Sequence, residues 1–194
     1  MCIRDRQTQD HPQFKTYSEE LKWLTTDATR MSWVAKTIKD IATSGNTLIL
    51  VDRISAGEML EKKIKDSVFV SGSTKNMDRK EQYDEISTAT NKVIIATYGV
   101  AAVGINIPRI FNLVLIEPGK SFVRVIQSIG RGIRKAQDKE NVMIWDITSA
   151  CKFARRHLTQ RKKFYKEANY PYNIEKVDTD LSLIHISEPT RPER

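Results

Sequence analysis

Between residues 47 and 147 the chain carries five short, nearly unbroken apolar runs: TLILV at 47–51, VFVS at 68–71, KVIIAT at 92–97, NLVLIE at 112–117 and VMIWDI at 142–147. Each is too short for a helix and reads as a strand buried on both faces, the pattern of a parallel sheet. The intervening segments have helical character. Ser55 is placed to cap a helix over 56–65, with Glu58 three residues on as in a capping box. A polar helix is expected near 76–88, another from 121 to about 134, and a long one from about 149 to 169. Ahead of the first run, Leu21, Leu24, Ala28, Met31, Val34, Ala35, Ile38 and Ala42 recur at the helix period until Gly45 and Asn46 stop it. Alternating strands and helices predict an α/β fold: a parallel sheet of five strands with helices on both faces and one N-terminal helix, over 17–43, laid against it.

Composition supports a folded domain with a basic surface. Of 194 residues 40% are hydrophobic, and 32 Lys and Arg against 24 Asp and Glu leave a formal charge of +8. The longest uncharged stretch, 93–108, is broken by Thr97, Tyr98, Gly99, Gly104 and Asn106, which a bilayer span does not tolerate. Cys2 and Cys151 form no disulfide or metal-binding pattern, which favours a reducing, cytoplasmic setting. The first residues (MCIRDR) and the last (SLIHISEPTRPER) show no helix or strand period and resemble translated sequencing-adapter DNA. They are expected to be artefacts flanking a natural protein that extends further, upstream in particular. The expected division is therefore 1–6 and 182–194 as artefact, 7–45 as a helical segment and 46–181 as the α/β domain.

Ligands of open parallel sheets gather at the carboxyl ends of the strands. After the third run the sequence reads ATYGVAAVGINIPR, in which Thr97 offers a hydroxyl and an amide to a phosphate. Gly99 and Gly104 allow tight turns or close approach of another backbone, although ordinary turn glycines would look the same. After the fourth run comes QSIGRGIRK, which puts Gln127, Arg131 and Arg134 on one helical face. Gly130 and Gly132 each cost a helix about 1 kcal/mol relative to Ala, a penalty that suggests close approach to another element. A solvated face is the plain alternative; a fork for phosphate oxygens is the functional one, because guanidinium stays charged and binds phosphate bidentately.

ATYGVAAVGINIP followed, after a strand, by QSIGRGIRK resembles motifs V and VI of superfamily 2 helicases. Residues 47–53 stand in the place of motif IV, and VSGST at 70–74 in that of the following Gly-bearing loop. The flanking helices are similar to those of UvsW-type phage DNA helicases. The resemblance implies the second, C-terminal RecA-like domain of a two-domain ATP-driven motor. It assigns Arg134 as arginine finger, Arg131 as a second γ-phosphate contact and Gln127 beside the attacking water. Gly104, Asn106 and Gly130 would line the ATP side of the cleft; many relatives carry Asp where Asn106 stands. Thr97, Gly72, Ser73 and Arg53 would face nucleic acid. The implied partners are DNA, branched or at single-strand/duplex junctions, with an RNA–DNA hybrid as an option, and an N-terminal RecA-like domain that holds most of the ATP and Mg²⁺.

No G-x-x-x-x-G-K-[ST] and no DE-x-[DH] segment occurs, so the phosphate cradle and metal ligands are not in this sequence and the chain alone is not expected to hydrolyse ATP. Two other readings remain at this level: a non-catalytic nucleic-acid-binding module, and the translocase domain of a restriction or remodelling enzyme. Lys152, Arg155, Arg156, Arg161, Lys162, Lys163 and Lys166 crowd the last helix around a seam of Ala154, Leu158, Tyr165 and Ala168, as a solvated amphipathic face or a phosphate-binding one. Trp145 and Phe153 are expected in the core, and Trp23 and Trp33 between the N-terminal helix and the sheet. His11 and His157 are expected at the surface and Asp146 in a structural role, such as a cap for the next helix; Cys151 stands near a helix start, which can lower a thiol pKa, but nothing nearby supplies a base for nucleophilic chemistry.

Overall fold

A computed structural model describes residues 12–72, 89–103, 109–119, 126 and 142–177, and the backbone of 2–6. All five expected strands are present: β2 (Thr47–Val51), β3 (Val68–Val70), β4 (Val93–Thr97), β5 (Asn112–Ile116) and β6 (Met143–Ser149). Two more join them, β1 (Cys2–Arg6) and β7 (Asn173–Val177), in a seven-stranded sheet of order β3-β4-β2-β5-β6-β1-β7. Every pairing is parallel. Central β2 and β5 are buried at every position, as their unbroken apolar sequence requires. The two extra strands were invisible to that criterion, because CIRDR and NIEKV carry charge at alternate or adjacent positions and are held by backbone pairing. The first of them belongs to the segment set aside above as adapter-derived; its pairing in the sheet is a property of its backbone and does not bear on its origin.

The described helices are α1 (Tyr17–Thr26), α2 (Ala28–Ala42), α3 (Ile54–Lys63), α4 (Tyr98–Val103) and α5 (Lys152–Glu167). The single helix expected over 17–43 is thus two. Asp27 divides them: its backbone leaves the helical region (φ −62°, ψ 119°), and its carboxylate accepts from the Arg30 amide at 2.7 Å to cap α2. Thr16 and Glu19 form a reciprocal capping box at the start of α1. Ser55, in contrast, does not cap α3. The Arg53 carbonyl accepts from the amides of Ala56 and Gly57, so the helix starts directly after β2 with no side-chain cap.

The apolar faces of α2 and α3 and both faces of the inner strands merge in one core that includes Met31, Val34, Ile38, Leu60, Ile95 and Val114. Gly57 lets α3 lie on β3, since a Cβ there would fall 2.2 Å from the Phe69 ring. Gly45 makes the turn from α2 into β2 at φ 137°, a conformation side chains avoid. Trp145 is buried as expected, Trp33 packs partly buried on the main core, and Trp23 packs with Phe14 on a small cluster of Leu24, Cys151 and Ala154. Phe153 is only half-buried. Among the described residues no helix is long and apolar enough to cross a membrane.

Candidate functional site

Parallel strands bring their carboxyl ends to one edge, and the register shows which residues meet there. Val51 pairs with Thr97 and Val70 with Ala96, so Arg53, Gly72 and Thr97 all emerge on the same rim of the sheet. Thr97 is the last residue of β4 and opens α4; its Oγ1 accepts from the Val100 amide at 3.4 Å and retains its own hydrogen as a donor. Gly72 is exposed with nothing within 4 Å of where a Cβ would stand, and at Gly99 only the Thr97 hydroxyl lies within that distance, at 3.9 Å. Neither glycine is there to fit a neighbour among the described residues. Arg53 is half-buried and donates from Nη2 to the Ser18 hydroxyl at 3.1 Å, which ties the end of β2 to α1. Ser73, Gly104, Asn106, Gln127, Gly130, Arg131 and Arg134 lie outside the described residues. In the chain, QSIGRGIRK comes between β5 and β6.

Beneath the rim lies a buried charge network. Glu117, directly after β5, takes the left-handed conformation (φ 45°), which is uncommon for a residue with a side chain. Its carboxylate pairs with the buried Arg30 guanidinium, its Oε2 accepts from Thr148 at 3.4 Å, and its amide donates to the Ile147 carbonyl at 2.9 Å. Arg30 also donates to the Leu24 carbonyl at 2.6 Å, at the end of α1. Beside this pair, Arg161 of α5 grips Asp146 of β6 with two donors, Nε at 2.7 Å and Nη2 at 3.0 Å, and donates Nη1 to the Pro118 carbonyl at 2.6 Å. The Tyr165 hydroxyl adds a bond to Asp146 at 2.8 Å. The turn leaving β5 is therefore clamped on both sides, at Glu117 by α2 and at Pro118 by α5.

Several expectations change here. Arg161 is no surface cation; it occupies the helix position between Leu158 and Tyr165 and is buried. Asp146 lies within β6 and holds Arg161, and the donors at the start of α5 are capped from elsewhere: the Glu20 carboxylate of α1 accepts from the Phe153 amide at 2.9 Å and the Ala154 amide at 2.7 Å. His157 is buried, its ring edge-on to Tyr17 at 4.6 Å between centroids. Cys151 is buried too, and burial pushes its thiol up to about 11, the reverse of the lowering that a helix start alone can produce. Mapped alkylation of the native protein at mildly alkaline pH is expected to leave Cys151 nearly unmodified and to label it readily once unfolded.

Burial raises the Glu117 carboxyl from 4.5 to about 7, against the pull of Arg30 and Arg161, with Asp146 and Glu20 adding to the rise. A proton held more tightly in the folded state stabilises it at low pH. That contribution is complete below about 4.5 and is lost as pH rises through about 7. The difference in melting temperature between Glu117→Gln and the parent protein is accordingly expected to change across this interval; a constant difference would contradict the shift. No cluster of three or more His, Cys, Asp or Glu able to hold a metal ion occurs among the described residues.

The helicase conserved C-terminal domain model matches residues 29–136, which takes in both ATYGVAAVGINIP and QSIGRGIRK. The chain is 30% identical over 161 residues to the ATP-dependent DNA helicase uvsW of Enterobacteria phage T4, covering 80% of this chain and 32% of that protein. It is 32% identical over 104 residues to putative helicase 22 of Sulfolobus islandicus filamentous virus, covering 52% of this chain and 18% of the relative. It thus spans a third or less of either relative. In fold it is similar to the crystal structure of T4 UvsW, with a TM-score of 0.78 and 24% identity over 91% of this chain and 41% of that one. The C-terminal domain of the DEAD-box protein Dbp5 matches at a TM-score of 0.57 and 20% identity, covering 92% and 89%. The sheet with its helical layers is the RecA-like fold, and by sequence the chain belongs to the helicase conserved C-terminal domain family.

Proposed function

We propose that the chain is the C-terminal motor domain of an ATP-dependent DNA helicase or branch-migration translocase, acting in recombination, repair or replication in a bacterial or phage-infected cytoplasm. One observation carries this reading. The family match spans two separate motifs, and the described part of the first, Thr97 to Val103, opens on the rim where a parallel sheet gathers its ligands. In this reading Thr97, Gly72, Ser73 and Arg53 face the nucleic-acid backbone. Arg134 is the arginine finger, Arg131 a second γ-phosphate contact, and Gln127 stands beside the attacking water; Gly104, Asn106 and Gly130 line the nucleotide.

The donor set suits the phosphates of ATP rather than its metal. The motif supplies guanidinium groups, and the sequence has neither a Walker A lysine nor a DE-x-[DH] segment. Mg²⁺ and most of the nucleotide are therefore assigned to an N-terminal RecA-like domain of the full protein, and this chain alone to little or no turnover. When bound, the nucleotide supplies the phosphoryl group whose transfer releases the driving energy. This chain's part is to balance charge on that group and to grip the track. The test joins the chain to a cognate N-terminal domain and measures DNA-stimulated ATPase activity for Arg134→Ala and Arg131→Ala. Full activity in both variants would remove the assignment.

A further inference from the structure

Helix α5 has two opposed faces of different chemistry. Ala154, His157, Leu158, Arg161 and Tyr165 are buried against the sheet and α1. Lys152, Arg155, Arg156, Lys163 and Lys166, at i, i+3, i+4, i+11 and i+14, are exposed on the opposite side. At 3.6 residues per turn these five fall in one longitudinal stripe about 21 Å long. Lys152 lies over the Phe153 ring at 5.6 Å. Arg155, Arg156, Lys163 and Lys166 make no ion pair among the described residues, and the helix contains one acid, Glu167, at its far end.

The stripe is placed against the helix's own electrostatics. Like charges three and four residues apart repel, as at 152/155, 152/156 and 163/166. Lys152 and Arg155 sit in the first turn, whose own residues include no acid; the Glu20 carboxylate of α1 caps the Phe153 and Ala154 amides there from the buried side, and the exposed face has no such partner among the described residues. An anion spread along the exposed face would relieve the repulsion along the stripe. The stripe also begins beside the rim. Helix α5 starts three residues after the carboxyl end of β6, and α1 links it to the end of β2 through Glu20 on one side and Ser18 with Arg53 on the other.

We propose that the exposed face of α5 binds the sugar-phosphate backbone of duplex DNA, as a second contact flanking the rim that carries Thr97, Gly72 and Arg53. This rests on the nucleic-acid reading given above and adds a surface to it. A duplex presents phosphates at about 3.4 Å per strand along its axis, so a stripe of this length spans several of them, which single isolated anions do not match.

The experiment measures affinity of the whole chain for a short fluorescent DNA duplex over a range of salt. The combined variant Arg155→Gln, Arg156→Gln, Lys163→Gln, Lys166→Gln is compared with Lys36→Gln, Lys39→Gln, Lys62→Gln, Lys65→Gln. The second set removes the same charge from exposed positions on and beside α2 and α3. Both sets are checked for unchanged circular dichroism and melting. The α5 set is expected to reduce the slope of log K against log salt by about 3 and to weaken binding more than about tenfold at moderate salt, with the control set near the parent. Equal loss in the control set overturns the proposal, since net charge alone would then account for it. So does an unchanged slope, or a greater loss toward polyglutamate than toward the duplex, which would mark an acidic polypeptide as occupant. Duplex binding with an unchanged slope sinks this surface alone. A parent chain that binds no duplex sinks it together with the nucleic-acid reading.

Discussion

Replacing Arg134 by Ala in the joined two-domain protein is expected to lower the DNA-stimulated turnover of ATP by about 10³-fold or more, with a much smaller change in KM. The reason is where the charge is needed. As the γ-phosphoryl leaves, charge spreads over its oxygens, and a guanidinium held against them in a water-poor cleft stabilises the transition state more than the bound nucleotide. Arg134→Lys keeps the charge but loses the planar pair of donors, so it should recover only part of the rate. Arg131→Ala is expected to show a larger share of its defect in KM, as a contact made in ground and transition states alike. If both alanine variants turn over at the parent rate, the two arginines belong to the solvated face that the sequence left open as an alternative.

The second large effect concerns stability. Asp146 and Arg161 are both buried, joined by two hydrogen bonds, and share their remaining capacity with Tyr165 and the Pro118 carbonyl. Removing Arg161 alone strands a carboxylate away from water, a loss of about 3 to 5 kcal/mol for buried pairs. Against a total stability of about 5 to 15 kcal/mol, Arg161→Ala should unfold at far lower denaturant or fail to accumulate. The double change Asp146→Leu with Arg161→Leu is expected to recover much of the loss, because both charges then leave together. Urea unfolding of Asp146→Leu, Arg161→Leu and the double variant, each set against the parent, gives the coupling. A single variant costing less than about 1 kcal/mol, or a double variant worse than the single, would contradict the account.

The inner sheet was legible from sequence because strands buried on both faces need an uninterrupted apolar run, and TLILV, KVIIAT and NLVLIE have one. The flanking strands β1 and β7 carry no such mark; backbone bonds hold them, and backbone bonds leave no trace in residue choice. The division at Asp27 was missed because apolar spacing continues through it; the turn shows in its extended backbone and in its side chain's bond to the Arg30 amide. The rim was readable in part: Arg53, Gly72 and Thr97 follow strand ends, and the register puts them side by side. The charges under the rim were not. Arg30, Glu117, Asp146 and Arg161 come from four elements, and their partners are fixed only once those elements pack. One clue was available in Arg161, which interrupts the apolar seam of Ala154, Leu158 and Tyr165 at the position where a core side chain is due.

The cap that Glu20 provides for α5 has a practical consequence for anyone trimming this domain. The family match begins at residue 29, and that boundary invites an expression fragment starting there. Such a cut would discard α1, and with it the carboxylate that closes a helix more than a hundred residues away and the Leu24 carbonyl that receives Arg30. The opening and closing helices are one mechanical splint, and a workable boundary has to fall upstream of Thr16.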